Sequence, residues 1–234
     1  GGTIGTNESA NMNVVILGAS GMVGGAVLRE CLLDPEVERV LVVSRTELAL
    51  RDAKLRTIVH DDFGDLTAIE DQLEGYDACF FCIGVTSAGM TEAAYRRVTV
   101  DFALAAARAM IHRNPKSVYV YVSGEGADSS QSSSTMWARV KGEAENAILA
   151  MPFREVFVFR PGYIQPLHGI VSRTTVYRIF YAIVAPFFPI LRWLAPRHVT
   201  TTENIGRAML RAASRGAPTR LLRCQDIEAL AADG

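Results

Sequence analysis

A set of glycines at fixed spacing limits what this chain can fold into more than any other feature. The apolar stretch Val14-Val15-Ile16-Leu17 runs straight into Gly18-Ala19-Ser20-Gly21-Met22-Val23-Gly24. A buried strand, a G-x-x-G-x-x-G turn and a helical pattern from Val23 onward follow without a gap. Glycine lets backbone bend this tightly and pass close to a diphosphate, and the first turn of a helix adds free N–H groups and partial positive charge. In that context the motif predicts a strand-turn-helix unit that holds a dinucleotide through Gly18, Ser20, Gly21, Met22, Val23 and Gly24.

The remaining pattern agrees. Short Val/Ile/Phe-rich runs recur at 40–43, 57–59, 78–83, 118–122 and 156–159. The first, second and fourth of the chain's apolar runs show little polar alternation, as strands buried on both faces do. Helical spacing is expected over 23–33, 66–73, 92–111 and 134–150. The stripe Val98, Phe102, Ala105, Ala106 and Ala109 marks the third of these, and Ser132 to Ser134 are candidate N-caps of the fourth. Alternating strands and helices predict an α/β fold, a doubly wound parallel sheet of the Rossmann type spanning 12–162. Right-handed crossovers bring the loops after the strands to one edge, where ligands bind. Residues 163–234 are expected to form a small C-terminal segment on the substrate side of the same domain. A helix is expected over 203–213, with Thr200 to Thr202 as caps. Residues 1–11 read as a flexible leader or a cloning remnant.

Composition narrows the class. The 234 residues carry 24 Lys+Arg against 25 Asp+Glu, and 49% are hydrophobic. That much apolar surface excludes intrinsic disorder. The balanced charge argues against a nucleic-acid partner, including at the dispersed arginines Arg207, Arg211, Arg215, Arg220 and Arg223. Four cysteines are too few for a disulfide scaffold and point to a reducing, cytoplasmic setting. Cys79 and Cys82 match C-x-x-C, but their odd offset on a strand sends the two sulfurs to opposite faces. The run 179–191 (IFYAIVAPFFPIL) is short for a membrane span, which needs about 20 apolar residues, and it holds Pro186 and Pro189. It reads first as substrate-side helices packed on the core. The second reading is a peripheral membrane or apolar-partner surface over 176–194.

The ends of the second and third strands bear on cofactor choice. An NAD site wants an acidic residue about 20 residues past the glycines, for the ribose 2′-hydroxyl. This chain has Ser44-Arg45 there instead. A serine hydroxyl and a guanidinium suit a 2′-phosphate, so NADP(H) is favoured over NAD(H). Asp62-Phe63 ends the third strand, where a carboxylate can accept from the adenine amino group. The alternative is a loop carboxylate that caps the following helix.

These residues resemble the short-chain dehydrogenase/reductase superfamily, in particular its atypical and extended members. The resemblance continues through Cys82-Ile83-Gly84 after strand four, Val122-Ser123-Gly124 ending strand five, Trp137-Ala138-Arg139-Val140-Lys141, and Arg160-Pro161-Gly162. It covers about residues 13–165, and is nearest to the small oxidoreductases around the Tat-interacting protein and to the NAD-dependent epimerase/dehydratases. It implies cofactor contacts from Cys82, Ile83, Gly84, Lys141, Arg160, Pro161 and Gly162. It also implies a homodimer through paired helices, and catalysis by a Ser, a Tyr and a Lys, the last two spaced Y-x-x-x-K. Ser123 and Lys141 take two of those places, and Trp137 stands at the tyrosine. Indole N–H donates but does not titrate usefully, and a missing general acid costs a factor of about 10² to 10⁴.

Three readings stay open. Another group donates the proton: Tyr163, a serine of 129–134, or water. Or Trp137 positions substrate or nicotinamide while hydride transfer stays slow. Or the site binds cofactor without turnover, as a redox sensor or interaction module. The leading expectation is an NADP(H)-dependent oxidoreductase acting on a small apolar carbonyl or alcohol. An epimerase or dehydratase that keeps its cofactor bound is the third alternative.

Overall fold

The structure, a computed structural model, describes residues 11–170 and 195–232. Strands β1 (Met12–Leu17), β2 (Val37–Ser44), β3 (Leu55–Val59), β4 (Ala78–Phe81), β5 (Val118–Val122), β6 (Glu155–Arg160) and β9 (Leu221–Arg223) form one sheet in the order β3-β2-β1-β4-β5-β6-β9. Each of its pairings is parallel. The order reverses at β1/β4, so the loops after these two strands diverge and leave a crevice at the sheet's C-terminal edge.

Two apolar layers hold the sheet. Along β1, Val14 and Ile16 enter one layer while Val15 and Leu17 enter the other. The first layer packs beneath helices α1 (Met22–Leu33), α5 (Thr202–Arg215) and α6 (Cys224–Ala232). The second packs beneath α2 (Glu92–Arg96), α3 (Phe102–Arg113) and α4 (Met136–Leu149). The expected separation of the two sulfurs is met, because Cys79 lies in the second layer and Cys82 packs against the first.

Some local expectations are corrected. The 66–73 segment is a 3₁₀ helix, Thr67–Leu73. The long helix expected over 92–111 is interrupted by a π-helical turn, Arg97–Asp101, in which the Phe102 N–H reaches back to the Arg97 carbonyl. The extra residue rotates the buried face. Tyr95, Thr99, Val100, Ala103, Ala106, Ala107 and Met110 are buried, while Val98, Phe102 and Ala105 lie half-buried. The buried strand β5 reaches this altered backbone, its Tyr121 hydroxyl donating to the Thr99 carbonyl (3.2 Å) and its Tyr119 hydroxyl to the Ala103 carbonyl (2.9 Å).

The serines expected to cap α4 do not do so. Thr135 holds the N-cap position without a side-chain bond. The amides of Ser132 and Ser133 donate instead to the Asp128 carboxylate (2.9 and 2.7 Å), which folds the tract into a closed loop.

The described part of the C-terminal segment builds onto the main domain. β9 adds to the main sheet beside β6, and α5 packs on α1, where Gly206 admits the buried Glu30. Thr201 caps α5 by accepting from the Asn204 N–H (3.1 Å). Strands β7 (Tyr163–Gln165) and β8 (Val199–Thr201) form a separate parallel pair. Residues 1–10 of the proposed leader and the 176–194 surface lie outside the described residues. No described helix is long and apolar enough to cross a membrane.

Candidate active site

The glycine turn is built by contacts that leave no room for side chains. Gly18 has φ +90°, and a Cβ on it would lie 2.7 Å from the Cys82 carbonyl carbon and 2.8 Å from the Ile83 nitrogen. A Cβ on Gly24 would come within 2.1 Å of the Gly18 oxygen. The β1–α1 turn is thereby pressed against the end of β4, and Cys82 and Ile83 sit directly beside it. The Gly21 N–H closes the turn on the Gly18 carbonyl (2.9 Å). Gly21 is the N-cap of α1 and offers no side chain, and the first helical turn holds no acidic residue. The amides opening α1 therefore have no side-chain cap, with Ser20, Met22 and Val23 half-buried around them. That is a ready anion site. Gly84 stands exposed, with open space where a side chain would go.

At the end of β2, Ser44 is buried and its Oγ accepts weakly from the Thr46 N–H (3.4 Å). Arg45 is exposed and makes no ion pair among the described residues, while the nearby Glu47 pairs with Arg51. After β3, the Asp62 carboxylate accepts from the Gly64 N–H (2.9 Å), a local turn bond. Phe63 is buried in the second apolar layer, 6.0 Å from the Phe102 ring. Just before the 3₁₀ helix, Asp65 accepts from the Thr67 N–H (2.9 Å), while the N-cap Leu66 offers no side-chain bond.

The third group lies at the end of β5. Ser123 is 8% exposed, and its buried Oγ has no hydrogen-bond partner among the described residues. A buried hydroxyl left unpaired is costly, so it marks a place prepared for another polar atom. Lys141 extends from α4 toward the same strand end. Its Cε is 3.9 Å from where a Gly124 Cβ would stand, and its Nζ lies 5.8 Å from the Tyr121 ring centroid. Burial pulls its ammonium down to about 8, against the opposing influence of Glu145. Trp137 is half-buried, and its indole edge lies 2.9 Å from the Cβ position of Gly126, whose φ is +87°. The indole thus packs on the β5–α4 loop.

Arg160 and Gly162 are engaged with the protein itself. The Arg160 guanidinium forms a buried pair with Glu145, with Nε–Oε1 at 2.8 Å and a second bond from Nη2 to Oε2, and also donates to Ser129 Oγ (2.6 Å). Pro161 accepts from the Glu125 N–H (2.9 Å). A Cβ on Gly162 would meet Glu125 Oε2 at 2.4 Å and the His198 oxygen at 2.5 Å. Tyr163 donates to Gln165 Oε1 (3.0 Å), and partial burial pushes its phenol up.

The structure therefore gathers the glycine turn with Cys82 and Ile83, and lays the Lys141 stem against Gly124, the residue after Ser123. It directs Phe63 and Arg160 inward. Two features went unseen in the sequence. Glu145 is spaced i+4 from Lys141, but nothing local indicates its bond to Arg160. The Glu125–His198 pair (2.5 Å) joins residues 73 positions apart and has no local signal at all.

No protein-family model matches the chain. Protein HTATIP2 of Rattus norvegicus is 31% identical over 154 residues, 65% of this chain and 62% of that protein. Protein fmp52-1, mitochondrial, of Aspergillus terreus is 35% identical over 158 residues, 65% of this chain and 66% of that protein. The chain thus matches less than two thirds of the length of either relative. Among solved structures, an oxidoreductase of the short chain dehydrogenase/reductase family from Burkholderia thailandensis superposes with a TM-score of 0.66 at 18% identity, covering 88% of this chain and 86% of that one. The Bordetella bronchiseptica enzyme WbmF, in complex with NAD+, gives 0.65 at 16% identity, covering 94% and 77%. At these identities the likeness is one of fold.

Proposed function

We propose that the chain, whose sequence and fold resemble the short-chain dehydrogenase/reductase superfamily, is an NADP(H)-dependent oxidoreductase acting on a small apolar carbonyl or alcohol, with Trp137 at the place of the usual tyrosine. The observation that carries this reading is the start of α1, where no side chain caps the amides, at the same sheet edge as Ser123, whose buried hydroxyl has no partner among the described residues. The residues present fit a dinucleotide: Gly18 and Gly24 have backbone where a Cβ would go, and the Ser123 hydroxyl, without a partner among the described residues, can take one from a ligand. The amides opening α1 would hold the diphosphate, and Ser44 with Arg45, which has no ion pair among the described residues, would hold a 2′-phosphate. When bound, NADPH supplies a hydride. Ser123 would orient the substrate oxygen, and Lys141 would bond the ribose hydroxyls or the substrate.

A second reading, cofactor binding without turnover, is favoured by one feature: Trp137 fills the tyrosine position with a group that packs on Gly126 and cannot titrate. The two are separated by following NADPH oxidation with a panel of small apolar aldehydes and ketones. Turnover above background supports the enzyme. Tight NADPH binding with a background rate on every carbonyl removes it.

A further inference from the structure

On α4, Lys141 and Glu145 stand at i and i+4, a spacing at which opposite charges commonly pair. In this protein they do not. Glu145 is fully buried and spends both carboxylate oxygens on Arg160, which comes from the neighbouring strand β6, and Ser129 Oγ closes the group from the β5–α4 loop. Lys141 makes no ion pair among the described residues, and its stem runs past Gly124, the residue that follows Ser123, whose buried hydroxyl has no partner among the described residues. We propose that Lys141 is the proton donor of this site, and that Arg160 keeps it available by holding the Glu145 carboxylate to itself. This rests on the reading of the site as a carbonyl-reducing centre.

The titratable and charged groups around Lys141 come from several elements. Glu145 is on its own helix, Tyr121 on β5, Tyr95 on α2 beside Tyr121, and Arg160 on β6. Asp128 in the β5–α4 loop acts on Arg160. In the step itself, the substrate carbon gains the hydride and the carbonyl π pair moves onto oxygen. That oxygen takes one N–H proton from the Lys141 ammonium, giving the alcohol. The amine is left neutral and regains a proton from water.

The test uses substitutions that push in opposite directions. Arg160→Gln frees the Glu145 charge to stabilise the Lys141 ammonium, and Glu145→Gln leaves Arg160 to repel it. Competitive acetylation of Lys141 with acetic anhydride, read by peptide mass spectrometry against pH, reports its protonation without any turnover. The midpoint is expected to rise by about one pH unit or more in Arg160→Gln and to fall by a similar amount in Glu145→Gln. The falling limb of the single-turnover rate against pH is expected to move with it. Should Arg160→Gln fail to fold, Glu145→Gln and the double change Glu145→Met with Arg160→Met still decide, the double being expected to keep a wild-type midpoint because it removes a neutral pair.

Midpoints that shift in the same direction, or not at all, overturn the role of Arg160. A rate limb that ignores shifted midpoints overturns the donor role. Wild-type chain that binds NADPH but reduces nothing refutes the carbonyl-reducing reading and takes the donor role with it, whatever the labelling gives.

Discussion

Trp137 and Lys141 share one helix and stand at the places that the superfamily resemblance gives to a tyrosine–lysine pair. The indole supplies packing on Gly126, and the lysine alone can change charge. Trp137→Tyr is expected to raise the single-turnover reduction rate by about 10²-fold, since a positioned phenol adds a second acid; an unchanged or lower rate means the indole has a role of its own. Lys141 also affects stability. Its proton affinity is lower in the fold than in the unfolded chain, so its charge opposes folding fully below about 8, and the penalty fades as pH rises toward the ordinary value of 10.5. Lys141→Met is therefore expected to raise Tm at neutral pH, by about 2–4 °C for each kcal/mol relieved. The gain should shrink in strongly alkaline buffer. Thermal melts across pH check this, and a gain independent of pH contradicts it. At this scale the sequence was partly legible. Ser123 and Lys141 stand at recognisable offsets in their motif. The bond from Arg160 to Glu145 was not readable, because Arg160 sits in a motif that suggests ligand contact and only the β5–β6 register turns its side chain toward α4.

The two helices that flank the site are each fixed by a glycine with no spare space. Gly24 on α1 faces the Gly18 oxygen, and Gly142 on α4 has the Asp128 oxygen 1.7 Å from its Cβ position. Gly24→Ala is expected to cost about 1–3 kcal/mol through forced displacement, and to weaken NADPH binding at least about tenfold by opening the turn. Gly142→Ala is expected to be comparably destabilising while leaving the glycine turn intact. Denaturant unfolding together with NADPH titration of both variants separates the two effects, and equal losses of affinity would contradict the assignment of the turn. Helices and strands with long apolar runs were legible because both faces of the sheet are buried. Others were hidden for specific reasons. A π turn costs one residue of register, and only the β5 tyrosines near it reveal why the buried stripe moves. Strands of three residues such as β7, β8 and β9 are too short to show a period. The serine tract carries cap residues, but Asp128 captures its amides first.

Across the whole molecule, the strand order β3-β2-β1-β4-β5-β6-β9 sets the glycine turn and the Ser123–Lys141 pair along one edge. Its reversal at β1/β4 opens the crevice between them. That architecture followed from the alternation of buried runs and helical patterns, whereas the joining of β9 to the sheet depends on pairings such as Val158 with Leu221, far apart in sequence, that no local pattern encodes. All the chemistry assigned to the edge depends on a dinucleotide settling on the start of α1. A fluorescence titration of the purified chain with NADPH and with NADH, repeated on Arg45→Ala, tests this most directly. The account predicts saturable binding of both, NADPH the tighter, with Arg45→Ala removing about 10- to 100-fold of the NADPH affinity and little of the NADH affinity. No measurable affinity for either nucleotide would contradict it.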